Sequence, residues 1–210
     1  GDEHEWEIRY HNPRIGASVE YTRFGNDTVF GSAVSFLPNV EINVAFHKNF
    51  RLKFRIFEGF GWITKPFDRI SNPRNNVIGS HLNDCTSFEF LTEKKFFKKY
   101  TICFGGSFTH WSSGAVKVPN LGINIPSIDL RIRYEPNSYN EYFVPHFHYS
   151  PVRKKIIFSL MPDLGFKELK VADGPMFHVF GASAMAGKYL NNWDKLWLGI
   201  DFSFNSSYHW

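Results

Sequence analysis

Apolar and polar residues alternate along much of this chain with a period of two, the spacing typical of β-strands whose two faces meet different surroundings. The alternation is clearest in residues 41–46, 51–56, 127–134 and 198–205, where large apolar side chains occupy every second position. The sequence has no long amphipathic helix pattern and no strand–helix–strand rhythm. We therefore predict an all-β fold of antiparallel strands.

Clusters of turn-forming residues separate the alternating segments. Three longer segments, residues 65–79, 113–123 and 136–151, lack the alternation and are predicted loops. Regularly spaced strands with such connections are typical of a meander, here within a single domain of residues 1–210. The predicted turns lie at Asn12-Pro13, Gly25–Asp27, Pro38-Asn39, His47–Asn49, Glu93–Lys95, Pro136-Asn137 and Asn191-Asn192.

The alternation fits two architectures. A soluble sandwich turns its apolar face inward, whereas a transmembrane β-barrel turns that face toward lipid. Aromatic residues make up 18% of the chain, yet no apolar run approaches the roughly 20 residues of a membrane-spanning helix. Many aromatics lie near predicted strand ends, as in the girdles of membrane barrels. They are Trp6, Tyr10, Trp62, Phe96, Phe97, Trp111, Tyr189, Trp193, Tyr208 and Trp210.

The formal net charge is +4, but the basic residues are scattered instead of forming one stripe. We therefore expect no nucleic-acid partner, and basic groups near a membrane rim would attract anionic head groups instead. Cys85 and Cys103 would lie roughly opposite one another in a hairpin that turns around Lys94. A cross-strand disulfide and two buried thiols both remain open for this pair.

The candidate chemistry lies in the segment His110-Trp111-Ser112. Tyr100 to Phe108 form an alternating strand, and His110 and Ser112 continue its apolar face. Ester hydrolysis by nucleophilic catalysis needs a hydroxyl, a base, a group that orients the base and donors for the oxyanion. Asn124 shares the apolar parity of the following strand, so a hairpin would place it beside His110 as the orienting group.

The residues around this segment carry a family resemblance. The matching blocks are GFGWITKPFD at Gly59–Asp68, NPRNNVIGSHLN at Asn72–Asn83, FTHWSSG at Phe108–Gly114 and PNLGINIP at Pro119–Pro126. With these blocks in this order, the chain resembles the lipid A deacylase and acyloxyacyl hydrolase family of outer-membrane β-barrels.

The resemblance implies an antiparallel transmembrane β-barrel of about 8–12 strands in the outer membrane of a Gram-negative-type envelope. It further implies a serine esterase that removes an ester-linked acyl chain from lipid A or a related lipid, without metal or cofactor. Ser112 would be the nucleophile and His110 the base. Asn120 would support the oxyanion, and Gly122 would shape the adjoining loop.

Two positions depart from the family pattern. The best-known branch has Glu where this chain has Asn124, and Asn where this chain has Ser113. Asn124 can accept a hydrogen bond from the imidazole, but it supplies no negative charge to an imidazolium. Ser113 is a shorter oxyanion donor, which shifts that role toward backbone N–H groups and Asn120.

Three functions follow from these observations. The first is the lipid esterase, with lipid A and other outer-membrane lipids as partners. The second is a catalytically weak or inactive barrel that serves as an accessory subunit of a larger outer-membrane assembly. The third is a soluble sandwich that binds a ligand. A homodimer or larger membrane complex stays open, and His146 with His148 lacks an evident third metal ligand.

Overall fold

The computed structural model describes residues 13–47, 50–136, 156–169, 171–190 and 195–209. Within these ranges the chain forms nine antiparallel strands and one short 3-10 helix, which confirms the predicted all-β antiparallel fold. In the same ranges, no helix is long and apolar enough to cross a membrane.

Within each of two sheets, every strand pairs with the next one along the chain, as in a meander. All four alternating segments lie inside strands, as predicted. Strands β1–β6 form one sheet and β7–β9 form a second. The bounds are β1 Arg14–Arg23, β2 Ser32–His47, β3 Phe50–Ile63, β4 Leu82–Phe97, β5 Tyr100–Ser112, β6 Ile123–Tyr134, β7 Ile156–Glu168, β8 Met176–Tyr189 and β9 Lys195–Asn205, followed by the 3-10 helix Ser206–His209.

The described residues divide into two compact units, each with one of the sheets. Unit 1 contains residues 13–47, 50–114 and 119–136, and unit 2 contains residues 115–118, 156–169, 171–190 and 195–209. The single domain of residues 1–210 stays a prediction.

The two faces of the six-stranded sheet differ sharply in chemistry. One face exposes large apolar side chains, among which Ile128 is 83% and Leu130 is 77% exposed. The other face buries charged side chains, among which Lys53 is 1% and Glu89 is 3% exposed. A water-soluble sheet has the opposite arrangement, with its apolar side chains buried and its charges in solvent.

The buried charges of unit 1 form one network of ion pairs. Each described carboxylate of this network contacts a lysine or arginine, so the charges are not left uncompensated away from water. The pairs are Lys53–Glu41, Lys53–Glu93 (3.1 Å), Arg55–Glu41 (2.8 Å), Arg55–Glu89 (3.3 Å), Arg131–Glu89 (2.6 Å) and Arg133–Glu93.

An apolar cluster around Trp111 lies on the buried side of unit 1. The Trp111 side chain is 1% exposed, and its ring meets Phe24 edge-on with centroids 5.6 Å apart. A Cβ at Gly61 would lie 2.0 Å from Cζ3 of Trp111, so glycine makes room for the indole. The prediction that Trp111 belongs to an exposed girdle is therefore wrong, because its parity on β5 turns it inward. Trp62, Phe96 and Phe97 are exposed.

Two predicted turns are wrong. Pro38-Asn39 lies inside β2, where Pro38 pairs with Ala17 of β1. Glu93–Lys95 lies inside β4, and the hairpin turns at Lys98-Lys99 instead. Gly25–Asp27 does fall in the connection between β1 and β2. The other predicted turns lie wholly or partly outside the described residues, as do most of segment 136–151, His146, His148 and the girdle positions Trp6, Tyr10, Trp193 and Trp210.

The position of the hairpin turn also determines whether Cys85 and Cys103 lie opposite one another. A turn at Lys94 would set Cys85 opposite Cys103, but the observed turn shifts the register of β4 and β5. Cys85 is paired with Trp111 and Cys103 with Glu93. Both cysteines are buried and free, so they do not form a cross-strand disulfide.

Candidate active site

His110 and Ser112 lie at the end of β5 with Trp111 between them. Because neighbouring residues of a strand point to opposite faces, the buried indole of Trp111 turns both flanking side chains toward the exposed apolar face. Packing of Trp111 in the core thus fixes the orientation of the strand end. The structure places the predicted base and nucleophile on one face, next to each other along the strand.

Asn124 is the registered partner of His110 on β6. The Nδ1 atom of His110 lies 2.6 Å from Oδ1 of Asn124. Since an amide oxygen only accepts hydrogen bonds, Nδ1 carries the proton and donates it, which leaves Nε2 with a free lone pair. This tautomer is the one that a general base at Nε2 requires.

Gly122 lies against the imidazole of His110. A Cβ at this position would lie 2.7 Å from Cε1 and 3.3 Å from Nε2 of His110. Its φ of +75° is in the left-handed region that favours glycine. The Gly122 N–H donates to the carbonyl oxygen of Val77 at 3.1 Å, which ties the glycine to the long loop between β3 and β4.

Ser113 and Asn120 form a second pair. The backbone N–H and the hydroxyl of Ser113 both donate to Oδ1 of Asn120, at 2.8 and 3.1 Å. Because Oδ1 accepts both bonds, the orientation of the amide is fixed and Nδ2 is its donor group. Ser113 is 8% exposed, so its hydroxyl acts on the site through Asn120 instead of facing the nucleophile.

Gly114 supplies a donor that the sequence pattern did not single out. Its backbone N–H donates to Oγ of Ser112 at 3.3 Å, and its φ is +62°. A donor this close to the nucleophile lies near the position where an oxyanion forms during acyl transfer. The Gly114 N–H and Nδ2 of Asn120 are therefore the candidate oxyanion donors.

Residues 64–81 connect β3 to β4 and support Gly122 from outside the sheet. Asn75 is fully buried, and its Nδ2 donates to the carbonyl of Lys65 at 2.7 Å. Its Oδ1 accepts hydrogen bonds from the backbone N–H groups of Val77 and Ile78, both at 3.2 Å. The buried amide thus fixes Val77, whose carbonyl holds Gly122.

The same connection is stabilised at Asp68 and His81. The backbone N–H of Ser71, its hydroxyl and the N–H of Ile70 hydrogen-bond to the carboxylate, which holds the pKa of Asp68 below its usual value. Asp68 therefore stabilises the fold above its unfolded pKa, and this contribution is lost as the pH falls through its folded pKa. His81 donates through Nδ1 to the carbonyl of Ile63 at 2.7 Å and stacks on Trp62.

Three further polar residues, Asp84, Thr86 and Glu58, lie on the exposed face near His110 and Ser112. Thr86 is the registered partner of His110 on β4, and Asp84 is the partner of Ser112. The Thr86 hydroxyl lies 2.7 Å from Oε2 of Glu58 and 3.0 Å from Oδ2 of Asp84. The alternation of β4 gives Asp84 and Thr86 the parity of its exposed face, but their place beside the site depends on the register with β5.

Substitution of Gly122 by Ala is expected to lower hydrolytic activity by about 100-fold, because the new Cβ displaces the imidazole that Asn124 orients. Gly25→Ala is the matched control, since Gly25 also has a left-handed φ of +81° but has nothing within 4 Å of its Cβ position. Steady-state kinetics on a fatty acyl ester would measure both variants. Equal activities of the two variants would contradict the positioning role of Gly122.

In the described part of the chain, no three His, Cys, Asp or Glu side chains are placed to hold one metal ion. Comparison of the chain with protein-family models, curated proteins and solved structures finds no match. The resemblance of residues 59–126 to the lipid A deacylase and acyloxyacyl hydrolase family therefore stays a prediction.

Proposed function

We propose that this chain is a serine esterase of the outer membrane of a Gram-negative-type envelope, and that it hydrolyses an ester-linked acyl chain of lipid A or a related lipid. The observation that carries the proposal is the hydrogen bond from Nδ1 of His110 to Asn124. It leaves Nε2 free to act as a base, and Ser112 lies two residues further along the same face of β5, whose other side chains are largely apolar.

The distribution of charge and apolar surface supports a membrane location. An antiparallel transmembrane β-barrel of about 8–12 strands turns apolar side chains to lipid and polar ones to its interior. In unit 1 one face of the sheet exposes large apolar side chains, and the ion-pair network is buried on the other face. In water, a sheet that exposes this apolar face would bear a cost that the proposed location avoids.

In the proposed reaction, Oγ of Ser112 attacks the carbonyl carbon of the ester while its proton passes to Nε2 of His110. The tetrahedral oxyanion accepts hydrogen bonds from the Gly114 N–H and Nδ2 of Asn120. When the C–O bond to the lipid alcohol breaks, His110 returns the proton to the departing oxygen. Water then attacks the acyl-serine with His110 again as the base; the bond between the acyl carbon and Oγ breaks, His110 returns the proton to Oγ, and the fatty acid is released.

A second function has one specific observation in its favour. Asn124 orients the imidazole but brings no negative charge to the imidazolium that forms during attack. A barrel whose imidazolium is stabilised less strongly would have little or no activity of its own. It would fit the role of an accessory subunit in a larger outer-membrane assembly. In this function the exposed apolar face would contact membrane lipid or a neighbouring protein.

Reaction with a serine-directed acyl probe separates the two functions. We expect detergent-solubilised protein to form one covalent adduct, and peptide mass spectrometry to place it on Ser112, because Nε2 of His110 activates that hydroxyl. The control is Ser127→Ala, which removes a hydroxyl elsewhere in unit 1. Folded protein without an adduct on Ser112 would favour the accessory subunit, and extraction without detergent would contradict the membrane location.

A further inference from the structure

On the exposed face of β5, one position between two large aromatic side chains has no side chain. From the strand end inward, the side chains on this face are those of Ser112, His110, Phe108, Gly106 and Phe104. Phe108 is 45% exposed and Phe104 is 55% exposed, so both rings stand out from the sheet. Gly106 between them leaves a depression four residues from His110.

Large apolar side chains also border this depression on the neighbouring strands. Gly106 is paired with Phe90 of β4 and with Ile128 of β6. Phe90 is 54% exposed and Ile128 is 83% exposed. Directly opposite residues of paired strands point to the same face, so these two side chains flank Gly106 while Phe104 and Phe108 lie above and below it.

Close backbone contact excludes a side chain at position 105, whereas position 106 would accept one after a shift of a few tenths of an ångström. A Cβ at Gly105 would lie 1.8 Å from the carbonyl oxygen of Phe90, a severe overlap with the backbone of β4. A Cβ at Gly106 would have a single neighbour within 4 Å, the carbonyl oxygen of Ser127 at 3.2 Å. Since a glycine inside a strand weakens it, close backbone contact explains the glycine at 105 better than it explains the glycine at 106.

We propose that Gly106 determines the length of the acyl chain that the esterase accepts, an inference that rests on the proposed function. The carbonyl end of the chain lies at Ser112, the chain runs beside the Phe108 ring along the exposed face of β5, and its methyl end occupies the depression over Gly106. Phe104 closes the far side of the depression. Longer chains would have to pass over its ring.

The dimensions of a membrane fit this placement. Ser112 and Gly106 are six residues apart, or about 20 Å along a strand. For a strand tilted by about 45°, this corresponds to a depth of about 14 Å, close to half of the roughly 30 Å hydrocarbon core. A chain that follows the tilted strand over these roughly 20 Å would therefore reach Gly106 near the middle of the bilayer.

Kinetics on fatty acyl esters of graded chain length test the proposal with two variants of opposite effect. Gly106→Leu fills the depression, so we expect it to favour short over long chains by about tenfold for each methylene that no longer fits. Phe104→Ala extends the depression and is expected to shift the preference toward longer chains. If a variant only destabilised the fold, its activity would fall on esters of every chain length. The two variants would then not shift the chain-length preference in opposite directions.

Ala17→Leu is the matched control, because Ala17 is an exposed residue of β1 and the variant places the same leucine side chain on the sheet far from β5. We expect its chain-length preference to equal that of the unaltered protein. Unchanged preferences in folded, active Gly106→Leu and Phe104→Ala would overturn the role of Gly106. Absence of activity in the unaltered chain on every ester would instead contradict the proposed function itself.

Discussion

Substitution of Ser112 by Ala is expected to lower acyl ester hydrolysis by about 10⁴-fold or more, the scale seen when a serine nucleophile is removed from a catalytic group that acts as a unit. The variant keeps Trp111 in its buried site, and Ser112 is only half-buried, so the fold should be retained. The measurement is the release of fatty acid from a long-chain ester in detergent micelles.

The control for this prediction is Ser127→Ala, which should retain full activity because Ser127 lies in mid-β6 away from His110. Folding of each variant can be followed by its far-ultraviolet circular dichroism. If folded Ser112→Ala hydrolysed the ester at the rate of the control, a different nucleophile would have to carry the reaction.

Substitution of Lys53 by Met should destabilise the fold by about 3–5 kcal/mol, the usual effect of removing one partner from a buried ion pair. Lys53 is 1% exposed and contacts the carboxylates of Glu41 and Glu93. Its loss leaves two buried carboxylates with less compensation. The free energy of unfolding, from urea titration of the detergent-solubilised protein, measures the effect.

Lys94→Met is the matched control, because Lys94 is exposed and its replacement should change stability by no more than about 0.5 kcal/mol. A change of similar size in Lys53→Met would contradict the claim that the network compensates charges held away from water. In that case, water would have access to the side chain of Lys53 and would solvate its charge.

The strands of this fold are predictable from sequence because each carries a period-two pattern, but the position of the turn between β4 and β5 is not. Three consecutive charged residues at 93–95 are typical of a turn. In the structure, however, Glu93 points inward to Lys53 and Arg133. A fold that buries charges has polar residues inside its strands, so local polarity overpredicts turns. At Pro38, the apolar alternation of Phe36 and Val40 outweighs the local preference of proline.

The candidate site divides in the same way. Parity along β5 and the following hairpin brings His110 to Asn124, and both features can be derived from the sequence. The contact of Gly122 with the imidazole and with Val77 joins residues far apart in the chain, so it requires the tertiary fold. Asp84 and Thr86 have the required parity, but only the true position of the hairpin turn places them beside Ser112 and His110.

The most direct test of the account is mass spectrometry of purified lipid A after incubation with the detergent-solubilised protein. We expect lipid A to lose the mass of one ester-linked acyl chain and the matching free fatty acid to appear, with neither change in Ser112→Ala. Folded protein that releases no fatty acid from lipid A or from phospholipid would contradict the esterase function and favour the accessory subunit.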